Sequence, residues 1–140
     1  MHRALAETIE CITQGIDRSN RPEDRALAEK YLAALAPLLA RATLGNDILR
    51  ELSTMDRLFG QTWIIDVEPF KEAFAKWAAF KSEYTAWAMS GMTVNERLSA
   101  VGKLDAFDAA RRSRDRNQVR ALLAGVLVDE TSIKRILEEL

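Results

Sequence analysis

The sequence predicts an all-α fold, a helical bundle of six or seven helices built around a long, aromatic-rich central helix over about residues 67–90. Three observations predict it. Apolar residues recur at spacings of three and four through seven successive segments, the period of one helix face. A glycine or a capping Ser, Thr, Asp or Asn stands at the joins between those segments. No two β-branched runs are joined by a turn dipeptide, so nothing reads as a hairpin.

Leu5, Ile9, Ile12 and Ile16 form the first face, and Gly15 with "DRSN" is expected to end it. The second helix opens with Ser19 or Asn20 as cap and Pro22 in its first turn, where a missing N–H costs nothing. Leu27, Tyr31, Leu35 and Leu38 are its buried stripe, and Pro37 predicts a kink or an early end near residues 33–38. After "TLGN", Asp47 starts a third helix whose Ile48, Leu52, Met55 and Phe59 face inward. "QTWIID" has no strand partner and is read as a buried connector.

The longest helix follows, with Pro69 in its first turn and Gly91 just past its end. "TVNE" is a capping box, in which Thr93 and Glu96 satisfy two backbone N–H groups. It opens a helix that buries Val94, Leu98, Val101, Leu104 and Phe107 and tolerates Gly102 within it. Asp115 with Gln118 starts the next, burying Val119, Leu122 and Leu123 until Gly125. Asp129 caps the last, whose apolar residues are Ile133, Ile136, Leu137 and Leu140.

From Met92 onward, "MTVNERL", "LDAFDAARRSRDR" and "VLVDETSIKRILEEL" resemble a group of small, uncharacterised bacterial helical proteins that begin MTVNERL. The resemblance implies no activity and no catalytic residue. It implies a division into sub-modules 1–91 and 92–140, as the alternative to one domain over 1–140.

Composition excludes several functions. The chain has 140 residues, 48% of them apolar and 29% charged, which is ordinary for a globular domain. No apolar run is long enough to cross a bilayer, and the N-terminus has acids where a signal peptide has its apolar region. A soluble cytoplasmic protein is expected. The single cysteine forbids an internal disulfide and a cysteine-based zinc cluster. Net charge is −3 over residues 1–70 and +2 over 71–140, too small an asymmetry to imply nucleic acid.

Catalysis is not expected. His2, the sole histidine, lies at the start of the chain, a poor place for a general base. Cys11 sits in an apolar helix with no histidine beside it and reads as a structural thiol. The glycines stand singly, so no phosphate-cradling loop exists. No Glu-x-x-His pair offers a metal site; Glu7/Glu10 and Asp105/Asp108 read as solvated pairs. No cofactor and no metal are expected.

Two features remain for partner binding. Phe70, Phe74, Trp77, Phe80, Tyr84 and Trp87 span an arc of about 140° on the helical wheel, wider than the ~100° one packing partner needs. They read first as core; Phe80 and Trp87, at one edge, are the candidate interface anchors. "RRSRDRNQVR" sets Arg111, Arg112, Arg114, Arg116 and Arg120 within ten residues. The last-turn arginines suit a helix C-terminus without any partner. A helix-turn-helix around Gly125 fails, because its second helix would carry Asp129, Glu130, Glu138 and Glu139 toward phosphates.

The expected function is a non-catalytic protein-binding module, such as an inhibitor, an immunity or antitoxin-like factor or an accessory subunit. It would dock a helix face, with Phe80 and Trp87 as anchors and Arg112, Arg114, Arg116 and Arg120 pairing with partner carboxylates. Its partner is another protein or a second copy of the chain, with no membrane involved. The alternative is a nucleic-acid-associated regulator using Arg111–Arg120; nucleic acid is the disfavoured partner.

Overall fold

The computed structural model describes residues 2–60 and 62–140, without the side chain of His2. It is all-helical, with eight α-helices, one short 3-10 turn and no strand among the described residues. None of the helices is long and apolar enough to cross a membrane. The chain forms two compact units, Met1–Thr85 and Ala86–Leu140, divided within one helix.

Unit 1 begins with α1 (His2–Arg18), which packs on α2 (Pro22–Thr43). α1 ends within "DRSN", at Arg18, as expected, but Gly15 takes no part in the stop; it lies inside the helix, where the ring of Phe70 comes close. A methyl group on Gly15 would stand 2.8 Å from Cδ1 and Cε1 of Phe70. Phe70 is fully buried, so its ring has little room to retreat. Alanine would gain about 1 kcal/mol of helix propensity. Overpacking of a tight core costs about 1–3 kcal/mol and prevails here. Gly15→Ala is therefore expected to lower the urea midpoint of unfolding, although the same change in an open helix would raise it.

Two further helix ends differ from expectation. Arg21, not Ser19 or Asn20, is the N-cap of α2, and it makes no side-chain cap bond. Pro37 neither ends nor interrupts α2, which continues to Thr43. Ala33, whose carbonyl loses its partner to the proline, is exposed, so water can take that bond. Asp47 does cap α3 (Leu49–Gly60): its Oδ1 accepts the Leu49 N–H at 3.0 Å. The Tyr84 hydroxyl accepts the Ile48 N–H at 3.3 Å beside it, and burial raises that phenol's pKa.

The connector "QTWIID" holds a 3-10 turn, Ile64–Asp66; Gln61 lies outside the described residues. Ile64 is buried as expected, whereas Trp63 is exposed, with its Nε1–H donating to the buried Asp24 carboxylate at 2.6 Å. A turn at residues 67–70 precedes α4 (Lys71–Met89), so α4 starts two residues after Pro69, the amides of Phe70 and Lys71 both bonding to the Val67 carbonyl. Tyr31, Phe59, Phe74 and Trp77 meet edge-to-face at the centre of unit 1.

Unit 2 contains the last turn of α4, α5 (Val94–Ala100), α6 (Leu104–Arg112), α7 (Arg116–Gly125) and α8 (Glu130–Glu138). The one helix expected across Gly102 is two, which is why the chain has eight helices and not six or seven. Gly102 takes φ 73°, and the Lys103 N–H reaches back to the Leu98 carbonyl at 2.8 Å, closing α5. The Thr93/Glu96 capping box is formed in full, and the carboxylates of Asp115 and Asp129 accept the N–H groups of Gln118 and Ser132. Met89, Leu98, Phe107, Val119, Leu123, Val126, Ile133 and Leu137 make a core of the unit's own.

Candidate functional site

The arginine segment is the turn between α6 and α7. α6 buries Phe107 and Ala110 and turns its charged residues outward. Arg111 and Arg112 fall in its last turn, where cations favour the negative end of the helix dipole. The guanidinium of Arg111 also lies 5.7 Å over the Phe107 ring, one turn back. Asp115 then caps α7, so the turn needs no further partner to form.

The five arginines divide sharply by role. Arg116 donates to the Leu137 carbonyl at 2.8 Å, joining the start of α7 to the end of α8. Arg120 pairs with Glu130, holding the same two helices together. Both were expected to meet a partner, and the fold uses both internally. Arg112 and Arg114 are exposed and take part in none of these contacts. With Arg111, Asp108, Glu139 and Leu140 they line an open hollow of about 500 Å³. Arg112 and Arg114 are thus the candidate residues that the structure brings together; Arg116 and Arg120 lie outside that lining.

Arg114 also carries an unusual backbone. Four helices of the chain end alike: one N–H bonds three residues back, and the next bonds five residues back. The residue between is left-handed each time, and it is Gly45, Gly102, Arg114 or Leu127. At Arg114 and Leu127, φ is 56° and 62°. A side chain in that region costs about 1–2 kcal/mol, partly offset by the ~0.5–1 kcal/mol that glycine loses in chain entropy. The sequence conceals both positions. Gly125 ends α7 as expected, but the left-handed residue lies two positions further on, at Leu127, and nothing in "RRSRDR" marks Arg114 as left-handed.

The second feature divides as well. Phe70, Phe74, Trp77, Phe80 and Tyr84 are all buried, whereas Trp87 is 60% exposed. Phe80, expected as an exposed anchor, is corrected to a core residue: it is 0% exposed, with its ring 6.0 Å from Trp77 and 5.9 Å from Tyr84. The other large apolar residue exposed in unit 2 is Leu127, at 49%, which sequence reasoning missed. Arg97, also missed, links the two neighbourhoods. Its guanidinium donates to the carbonyls of Met92, Val126 and Leu127 at 3.3, 3.2 and 3.1 Å. The turn that follows Trp87 and the turn that carries Leu127 are therefore held side by side.

Elsewhere the chemistry is sparse. Burial, followed by the nearby Glu72 carboxylate, pushes the Cys11 thiol up, which makes its thiolate harder to form. Among the described residues, no three His, Cys, Asp or Glu side chains are grouped to hold a metal. A hollow of about 270 Å³ lies between α2 and α3 near Pro37 and Met55, with the Arg41–Glu51 ion pair (2.9 Å) in its wall. Comparison with known protein families, curated proteins and solved structures finds none that matches this chain.

Proposed function

We propose that the protein is a non-catalytic protein-binding module, and that unit 2 carries its docking surface. Trp87 is the apolar anchor and Leu127 extends the apolar contact, while Arg112 and Arg114, at the other end of α7 from Leu127, supply a separate cationic contact. The observation that carries this reading is the 60% exposure of Trp87, on a helix whose other ring residues in the arc are all buried. Exposed tryptophan gains most when a partner desolvates it, and Trp with Arg dominates the energetic centres of protein interfaces. Asp108 and Glu139, in the wall beside the free arginines, count against a polyphosphate partner.

Photo-crosslinking tests the reading. A benzophenone amino acid replacing Trp87, irradiated in the cells that make the protein, is expected to give a protein adduct of discrete mass. The same group at Ser82, exposed on α4, is the control and should give none. An adduct of twice the chain's mass would identify the partner as a second copy. Nucleic-acid adducts from position 87, or equal yields from both positions, would refute it.

A further inference from the structure

On the reading that unit 2 docks a protein, we infer that the hollow at the α6–α7 turn is a carboxylate-binding site that takes an acidic peptide segment of the partner. The unspent charge is the first ground. Three arginines and two carboxylates line one hollow, yet no ion pair joins them, and the side chains of Arg112 and Arg114 bond to no described residue. A guanidinium presents a planar fork of donors that matches a carboxylate, so two adjacent unpaired forks make a receptor for such groups.

The backbone is the second ground. At the equivalent place in two other helix ends this same chain uses Gly45 and Gly102. At Arg114 it holds a large cation in the left-handed region, and that side chain secures nothing within the fold. Leu127, the other such residue, at least buries half of its surface. Strain held where the side chain does nothing for folding points to work done outside the fold.

Charge arrangement selects the occupant. Asp108 and Glu139 share the wall with the arginines. A nucleic acid, with a phosphate at every step, would set charges against both carboxylates. A peptide whose glutamates alternate with neutral and basic residues can place its carboxylates at Arg112 and Arg114 and its donors at Asp108 and Glu139. The hollow's volume of about 500 Å³ suits a few side chains.

The test uses the whole protein and NMR of the arginine side-chain Nε–Hε signals. The probe is the hexapeptide Ac-Glu-Ala-Lys-Glu-Ala-Glu-NH2; its all-lysine counterpart, inorganic phosphate and a short single-stranded DNA are the comparisons. The glutamate peptide should shift the Arg112 and Arg114 signals saturably, with the three comparisons weaker. Arg112→Ala and Arg114→Gly should each weaken it about tenfold or more. Arg114→Gly should at the same time raise the thermal midpoint of unit 2 by about 2–5 °C, so that its lost binding is not lost structure. The inference is overturned if the glutamate peptide gives no saturable shift, or if both variants bind it as well as the parent does. It is also overturned if phosphate or DNA binds more tightly, the latter with steep salt dependence. A lowered midpoint in Arg114→Gly overturns the strain argument. Failure here with the position-87 adduct intact removes the carboxylate site alone; loss of the adduct removes the docking surface beneath it.

Discussion

Replacing Phe59 with alanine is expected to cost about 3–5 kcal/mol. Phe59 is buried and stands edge-to-face with Tyr31 at 4.9 Å, Phe74 at 5.2 Å and Trp77 at 5.1 Å. Each such pair contributes about 0.5–1.5 kcal/mol beyond the area it buries. Alanine would remove three of them and leave a cavity among rings that α2 and α4 hold in place. Phe59→Leu keeps most of the volume and should recover much of the loss, which separates packing from ring geometry. Urea unfolding followed by tryptophan emission measures both variants. A loss under about 1 kcal/mol for Phe59→Ala would mean that the cluster can close around the gap.

Leu123→Ala is expected to cost about 2–5 kcal/mol, and in unit 2 the consequence is greater. Leu123 is fully buried in the middle of the unit's core, and its carbonyl accepts the Val128 N–H that ends α7. A unit of about 55 residues has a small core and a total stability of roughly 3–8 kcal/mol. Losing half or more of that should open α5 to α8. Amide hydrogen exchange reports it: protection should fall through residues 94–138 while amides of α2 and α3 keep theirs. An equal fall in α2 and α3 would contradict the assignment of a separate core to unit 2.

Much of the fold was legible because its signals are local. The Thr93/Glu96 box, the Asp115 and Asp129 caps and the inward faces of α3 and α8 depend on residues three or four apart, which a sequence displays directly. What was not legible depends on contacts distant in sequence or on backbone conformation. Gly15 reads as a helix stop until Phe70, from another part of the chain, is seen against it. Gly102 reads as a tolerated interior glycine until its φ of 73° is known. Phe80 and Trp87 are neighbours on the helical wheel and lie at opposite extremes of exposure, a difference set by tertiary packing and invisible to periodicity.

The arginines teach the same lesson about the candidate site. By composition the five are equivalent, yet Arg116 and Arg120 fasten α7 to α8 while Arg111 rests on Phe107. Only Arg112 and Arg114 remain for a partner within the hollow. A charge run therefore marks where to look, and hydrogen bonding decides which members are available. Leu127 carried no signal at all, because an apolar residue just past a helix reads as part of the core stripe.

The docking surface requires that the free chain present Trp87 to solvent. The decisive measurement is acrylamide quenching of a protein whose sole tryptophan is Trp87, made by Trp63→Phe and Trp77→Phe, at a concentration where light scattering gives the monomer mass. Red-shifted emission, with a quenching slope close to that of an exposed indole, is the predicted result. Blue-shifted emission with a slope as shallow as that of a protein retaining only the buried Trp77 would place Trp87 in the core and contradict the docking surface.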